Sequence, residues 1–419
     1  MRLPFIFIIV LFVVALLEDL YILNDIKRYL SGKRKQRARI FQFVLMGIGY
    51  GLLITALCIP VRGENSNILP VMWVIYSFLS IYFAKTIYIL FSLAGLLTAL
   101  WRRHARRDKR KILHNYGALA ALPVCLAGFV MMWVGVFYTR YKIQINKVDI
   151  YSSRLPKAFD GYKLVQISDL HVGTWGNDTT FIANVVDSVN SLSPDLILFT
   201  GAIVNRRAEE LKPFKSVLRR LKAKDGVYSV LGNHDYGDYI DWRNDADKEK
   251  NRALLREWEK EMGWKLLNND AVLISKSGEE IALIGVENWG EPPFSQYGNL
   301  KAAYPSKATK NGSLKDTRFK ILLSHNPKHW EEEVTKETNI DLTLSGHTHA
   351  MQMAIGSGKW KWSPSSFKYK NWGGLYEGEG ITGKKVWLYV NIGTGEVGLP
   401  ARLGVAYPEI TEIILKSER

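Results

Sequence analysis

With 419 residues, 47% of them hydrophobic, the chain has material for two domains with substantial cores. A formal net charge of +16 would suit a nucleic-acid binder if the basic residues shared one folded surface. Instead +12 of it falls in two short segments: Lys27, Arg28, Lys33, Arg34, Lys35, Arg37 and Arg39 against Asp25, and Arg102, Arg103, Arg106, Arg107, Lys109, Arg110 and Lys111 against Asp108. Both segments separate apolar runs, where positive charge sets membrane orientation, so no nucleic-acid partner is expected.

A helix crossing a bilayer needs about 20 apolar residues. Four runs qualify, at roughly 4–23, 40–59, 68–100 and 115–138. The first does not read as a cleaved signal peptide, because Glu18 and Asp19 stand where small cleavage-site residues belong. The third carries Lys85, yet no Pro or Gly cluster marks a turn beside it, so one tilted helix is expected. Residues 1–139 are therefore expected to form a membrane domain of four transmembrane helices in contact with the lipid bilayer. Lys and Arg resist translocation, so both basic loops belong in the cytoplasm. The N-terminus and everything after about residue 140 are then extracytoplasmic. Cys58 and Cys125 fall inside expected spans and say nothing about export.

Residues 140–419 change texture, with short β-rich apolar runs alternating with polar helical stretches, as in a layered α/β domain. Strands are expected at Lys163–Ser168, Asp195–Thr200, Val227–Leu231, Glu280–Val286, Phe319–Ser324, Asp341–Ser345, Lys385–Asn391 and Ile410–Leu415. Helices are expected at 179–192, 209–222 and 247–261, and residues 350–380 read as a long irregular loop. Five of the eight histidines stand just after these strands: His171, His234, His325, His347 and His349. Asp169, Asn233 and Asp235 lie beside them. Imidazole and carboxylate together suit Zn, Mn or Fe, and alternate positions such as Asp169/His171 and His347/His349 place both side chains on one side of an extended segment. His329 fits no junction and reads as a helix-surface residue.

Taken in order, Asp169-x-His171, Gly201-Ala202, Gly232-Asn233-His234-Asp235, His325 and Gly346-His347-x-His349 resemble the calcineurin-like metallophosphoesterase family, across about residues 160–395. The resemblance implies a β-sandwich flanked by helices, with two divalent or trivalent metal ions at one edge. It implies that Asp169, His171 and His349 hold one ion, and that Asn233, His325 and His347 hold the other. His234 would protonate the leaving group, with Asp235 orienting it. The departure is Ala202, where the family has an aspartate bridging both metals. A methyl group cannot coordinate, so impaired metal binding and turnover are expected. Because every other ligand position is filled, an inactivating engineered change fits better than a decayed site.

The reading is thus a membrane-anchored phosphoester hydrolase acting on an ester, diester or pyrophosphate, with a phosphorylated, lipid-linked substrate. A cytoplasm-facing nucleotide-lipid pyrophosphatase and a catalytically dead metal-binding sensor are the alternatives. Asn391, Gly393 and Gly395 resemble the family's closing segment. Trp360, Trp362, Lys368, Tyr369, Lys370 and Trp372 interleave aromatics with bases, as at a membrane interface or on a solvated loop.

Overall fold

The structure is a computed structural model of the chain, and it describes residues 5–105, 115–292, 295–304, 308–309, 312–313 and 317–418. Most of the second basic segment, residues 106–114, lies outside them. The chain divides into two compact units, Met1–Phe137 with Gly398–Ala401, and Tyr138–Val397 with Arg402–Arg419.

In the first unit the apolar runs form helices α1 (Phe5–Tyr29), α2 (Gly32–Cys58), α3 (Leu69–Ala105) and α4 (Tyr116–Phe137). Where four spans were expected, three helices among the described residues are long and apolar enough to cross a membrane, beginning at Gly32, Leu69 and Tyr116. The first helix forms, but it carries Glu18, Asp19 and Asp25. Its acidic face turns inward. Asp19 is buried and accepts hydrogen bonds from Gln42 Nε2 (2.8 Å), Tyr50 Oη (2.8 Å), Tyr82 Oη (3.0 Å) and Lys85 Nζ (2.6 Å). The lysine that interrupts the third run is therefore neutralised within the unit, and α3 continues through it as one helix. Gly95 of α3 and Gly117 of α4 let the two backbones approach. A methyl added at Gly95 would lie 2.7 Å from the Gly117 Cα.

The second unit packs two six-stranded sheets. The first contains β1 (Gln144–Ser152), β2 (Lys163–Ile167), β3 (Leu196–Phe199), β4 (Val227–Ser229), β5 (Trp264–Leu266) and the last strand, β12 (Glu409–Ser417), in the order β1-β12-β2-β3-β4-β5. The second contains β6 (Asp270–Lys276), β7 (Glu279–Gly285), β8 (Lys320–Leu323), β9 (Leu342–Ser345), β10 (Gly374–Glu379) and β11 (Lys385–Val390), in the order β10-β11-β9-β8-β7-β6. Strands β2 to β5 run parallel, as do β7, β8, β9 and β11.

Both faces of the central strands are covered, which is why they read as unbroken apolar runs. Leu164, Leu196 and Leu198 point to the interior shared with Leu283, Ile321, Leu323 and Leu344 of the other sheet. Their neighbours Val165, Ile197 and Phe199 point outward, onto Phe181, Ile182 and Val185 of helix α5 (Thr180–Ser191). A further helix, α6 (Asp245–Glu261), is capped by the Asn244 side chain accepting from Asp247 N.

Two expectations change here. The stretch 209–222 forms a 3₁₀ segment, Ala208–Phe214, followed by a single α-turn, because Pro213 cannot donate within a continuous α-helix. The 350–380 loop contributes β10, paired antiparallel with β11.

Candidate metal centre

Every element that delivers a site residue is a buried parallel strand ending at the same edge of the sandwich, where α/β sheets collect their sites. Asp169 and His171 follow β2, Ala202 follows β3, and Asn233, His234 and Asp235 follow β4. His325 follows β8, and His347 and His349 follow β9. The loops turn sharply. Asp169, His171, Ala202, His347 and His349 all take left-handed backbone conformations, with φ of 52°, 42°, 59°, 75° and 50°. Such positions cost about 1–3 kcal/mol each and are held only where the surroundings over-determine them. Here Asp169 N donates to Gly201 O, His171 N to Ala202 O, and Gly395 N to Asp169 O. Asp169 Oδ2 in turn accepts from His347 N at 2.9 Å. Gly346 must be glycine, since a Cβ there would lie 2.0 Å from Ser168 Oγ. Asp and Asn tolerate this backbone region, whereas alanine at 202 takes the strain with no polar side chain to use it.

The donor atoms converge as two trios. In the first, His171 Nε2 and His349 Nε2 stand 3.0 Å apart, and Asp169 Oδ1 is 3.2 Å from His349 and 3.7 Å from His171. The ligand atoms of these three buried residues all lie within 4.8 Å of one another. In the second, Asn233 Oδ1 lies 3.1 Å from His325 Nε2 and 3.2 Å from His347 Nδ1. His325 Nε2 is also 3.8 Å from Asp169 Oδ1, which joins the trios. Among the described residues Asp169 Oδ1 is buried without a well-formed hydrogen bond, as an oxygen that completes a cation's coordination would be. Burial pushes His171 down to about 4 and lowers His347 and His349 as well, which favours the neutral rings. Burial opposes ionisation of Asp169, but His349 and His325 outweigh it and hold its carboxyl well below the ordinary range. One carboxylate, one amide oxygen and neutral imidazoles fit a divalent or trivalent ion such as Zn, Mn or Fe.

Two expected relationships differ. Asp235 does not orient His234. Its carboxylate instead accepts from the backbone N–H groups of Ala202, Ile203, Val204 and Gly232, clamping the β3 and β4 loops together. The Nδ1 of His234 pairs with Asn205 O at 2.7 Å. His329 is not on a surface: it is buried, bonded to Ser324 Oγ (2.8 Å) and Glu333 (3.1 Å), and stacked on Trp289.

A residue the sequence reading passed over is Arg402, fully buried and donating to the carbonyls of Ile392, Gly393 and Gly395. It fixes the closing segment whose Gly395 N holds Asp169 O, and a lone arginine past the end of that segment carries no sequence signal of this role.

Sheets whose parallel strands deliver this donor set to one edge define an α/β protein with a candidate metal centre. Residues 162–351 match the profile of the Calcineurin-like phosphoesterase family. The chain is 30% identical to the metallophosphoesterase YkuE of Bacillus subtilis, over 74% of this chain and 99% of that protein. It is 28% identical to the transmembrane protein with metallophosphoesterase domain of Bos taurus, over 74% and 64% respectively. It is 27% identical to the UDP-2,3-diacylglucosamine pyrophosphatase LpxG of Chlamydia muridarum, over 57% and 79%. The chain belongs to the calcineurin-like metallophosphoesterases.

Proposed function

We propose that this protein is a membrane-anchored, two-metal hydrolase of a phosphate ester, diester or pyrophosphate carried on a lipid, weakened by Ala202, which stands where the family has a metal-bridging aspartate. The observation that carries the reading is the convergence of six side chains in two trios that meet at Asp169 Oδ1. Asp169, His171 and His349 would hold one ion, and Asn233, His325 and His347 the other. Such ions supply Lewis-acid neutralisation of the phosphoryl oxygens.

The chain's own groups do the rest. His234 lies beside the first trio, its ring 4.7 Å from that of His171, and its Nδ1 bond to Asn205 O leaves Nε2 to exchange a proton with a leaving oxygen. Burial and the neighbouring His171 push it down to about 3. An anionic phosphoryl group alongside reverses that field and favours the imidazolium.

Support for a lipid-borne substrate comes from the apolar helices and from the likeness to LpxG, whose name specifies a diacylated sugar nucleotide. The two basic segments flank α2 on one side and separate α3 from α4 on the other, so cytoplasmic placement of both sends the chain outward after α4 whether or not α1 spans. The same likeness to LpxG supports a second reading, a nucleotide-lipid pyrophosphatase, which would require the site to face the cytoplasm.

Ala202→Asp tests the function. Turnover of a simple phosphodiester and of lipid-linked phosphates in mixed micelles should rise by about 100-fold or more, the scale on which removing a catalytic electrostatic group acts. Unchanged turnover in a chain carrying both metals would leave the catalytically dead sensor as the better account.

A further inference from the structure

Five of the six ligand side chains, one asparagine and four histidines, present more than one chemically distinct face, and something must decide which face meets the metal. An asparagine can turn its amide oxygen or its amide nitrogen inward, and only the oxygen binds a cation. A histidine can carry its proton on either nitrogen, and only the unprotonated one binds. His325 is settled by the main chain: its Nδ1 sits 2.7 Å from Thr200 O, a pure acceptor, which places the proton there and leaves Nε2 for the site.

Asn233 and His347 are settled by two tyrosines that lie outside the five blocks of the metal site. Asn233 Nδ2 donates to Tyr239 Oη at 2.6 Å, which turns Oδ1 toward His325 and His347. The Tyr239 ring packs on His234, with centroids 4.5 Å apart. His347 Nε2 faces Tyr369 Oη at 2.8 Å, while Nδ1 faces Asn233 Oδ1. A cation at Nδ1 needs the lone pair there, which puts the proton on Nε2 and makes the Tyr369 oxygen its acceptor. Tyr369 is itself buried, although it lies in the aromatic and basic stretch after β9, and Lys328 stands over its ring at 5.6 Å.

We infer that Tyr239 and Tyr369 are positioning residues of the second metal position, selecting the amide oxygen of Asn233 and the Nδ1 lone pair of His347. The inference rests on the metal-centre reading above. It assigns a role in the site to the 350–380 segment, which otherwise contributes no ligand. Outer partners of this kind typically carry 10- to 100-fold in metal affinity.

The test is a Mn²⁺ titration of the full chain in detergent, stripped with chelator, in the Ala202→Asp background, with Tyr239→Phe and Tyr369→Phe compared by calorimetry. Each substitution removes one hydroxyl and keeps the ring. The expected result is a loss of about 10- to 100-fold in affinity for one Mn²⁺ equivalent, the other unchanged, and an unaltered melting temperature of the stripped protein. Equal weakening of both equivalents, or a stripped protein that melts lower by as much as the metal-bound one, marks a merely structural role and overturns the inference. So does unchanged affinity at both. If the parent chain binds no Mn²⁺ at all, it is the metal-centre reading that fails, and the two failures are distinct.

Discussion

At the scale of single residues, the site works by fixing atoms rather than by supplying exotic ones. His234 is the side chain beside the ligands whose one hydrogen-bonded nitrogen is tied to a main-chain oxygen, Asn205 O, and not to another ligand. In the Ala202→Asp background, His234→Ala should lower turnover by about 10²- to 10⁴-fold, the usual range for proton transfer, while elemental analysis finds metal content unchanged. A metal equivalent lost with the imidazole would make His234 a ligand instead. The side chains that converge were legible in the sequence because histidine, aspartate and asparagine directly after apolar runs have few other reasons to be there. The partners were not. The family resemblance implies that Asp235 orients His234, but its oxygens reach Ala202, Ile203 and Val204 across the sheet. Tyr239 and Tyr369 pair with residues 6 and 22 positions away, distances that no periodicity encodes.

At the scale of elements, burial decided what could be read. The central strands β2, β3, β8 and β9 were found because both their faces are covered. β1 and β10 were not, since alternate half-buried and exposed residues, with glycine in β10, carry a weak signal. Helix α6 also hides a feature its polar composition conceals. Glu259 is wholly buried on it and accepts from Ser229 Oγ at 2.5 Å. Burial raises Glu259 to about 8 from 4.5, with Asp235 adding to the rise and Arg256 opposing it. The folded state therefore binds the proton more tightly than the unfolded chain. That contribution to stability is complete below about pH 4.5 and is lost as pH climbs through about 8, at up to about 1.4 kcal/mol per pH unit. Thermal unfolding between pH 5 and pH 9 should show the melting temperature of the parent falling more steeply than that of Glu259→Gln. Parallel profiles would place the ionised carboxylate in the fold.

At the scale of the whole molecule, a phosphoesterase unit and an apolar helical unit share one chain, and both were readable from composition because bilayer helices and layered sheets use hydrophobic residues in such different patterns. The first helix was harder, since its inward-facing Asp19 is matched by Lys85, which lies 66 positions along the chain. Charge placement predicts an extracytoplasmic hydrolase unit. Reporter fusions after Tyr138 should give active alkaline phosphatase and a dark cytoplasmic fluorescent protein, and the reverse pattern would favour the nucleotide-lipid pyrophosphatase reading. The central claim is the metal centre, and counting metal per chain tests it most directly. Full-length protein loaded with Mn²⁺, desalted and assayed by elemental analysis should hold two equivalents as the Ala202→Asp variant and fewer as the chain stands. No bound metal in either protein would contradict the account.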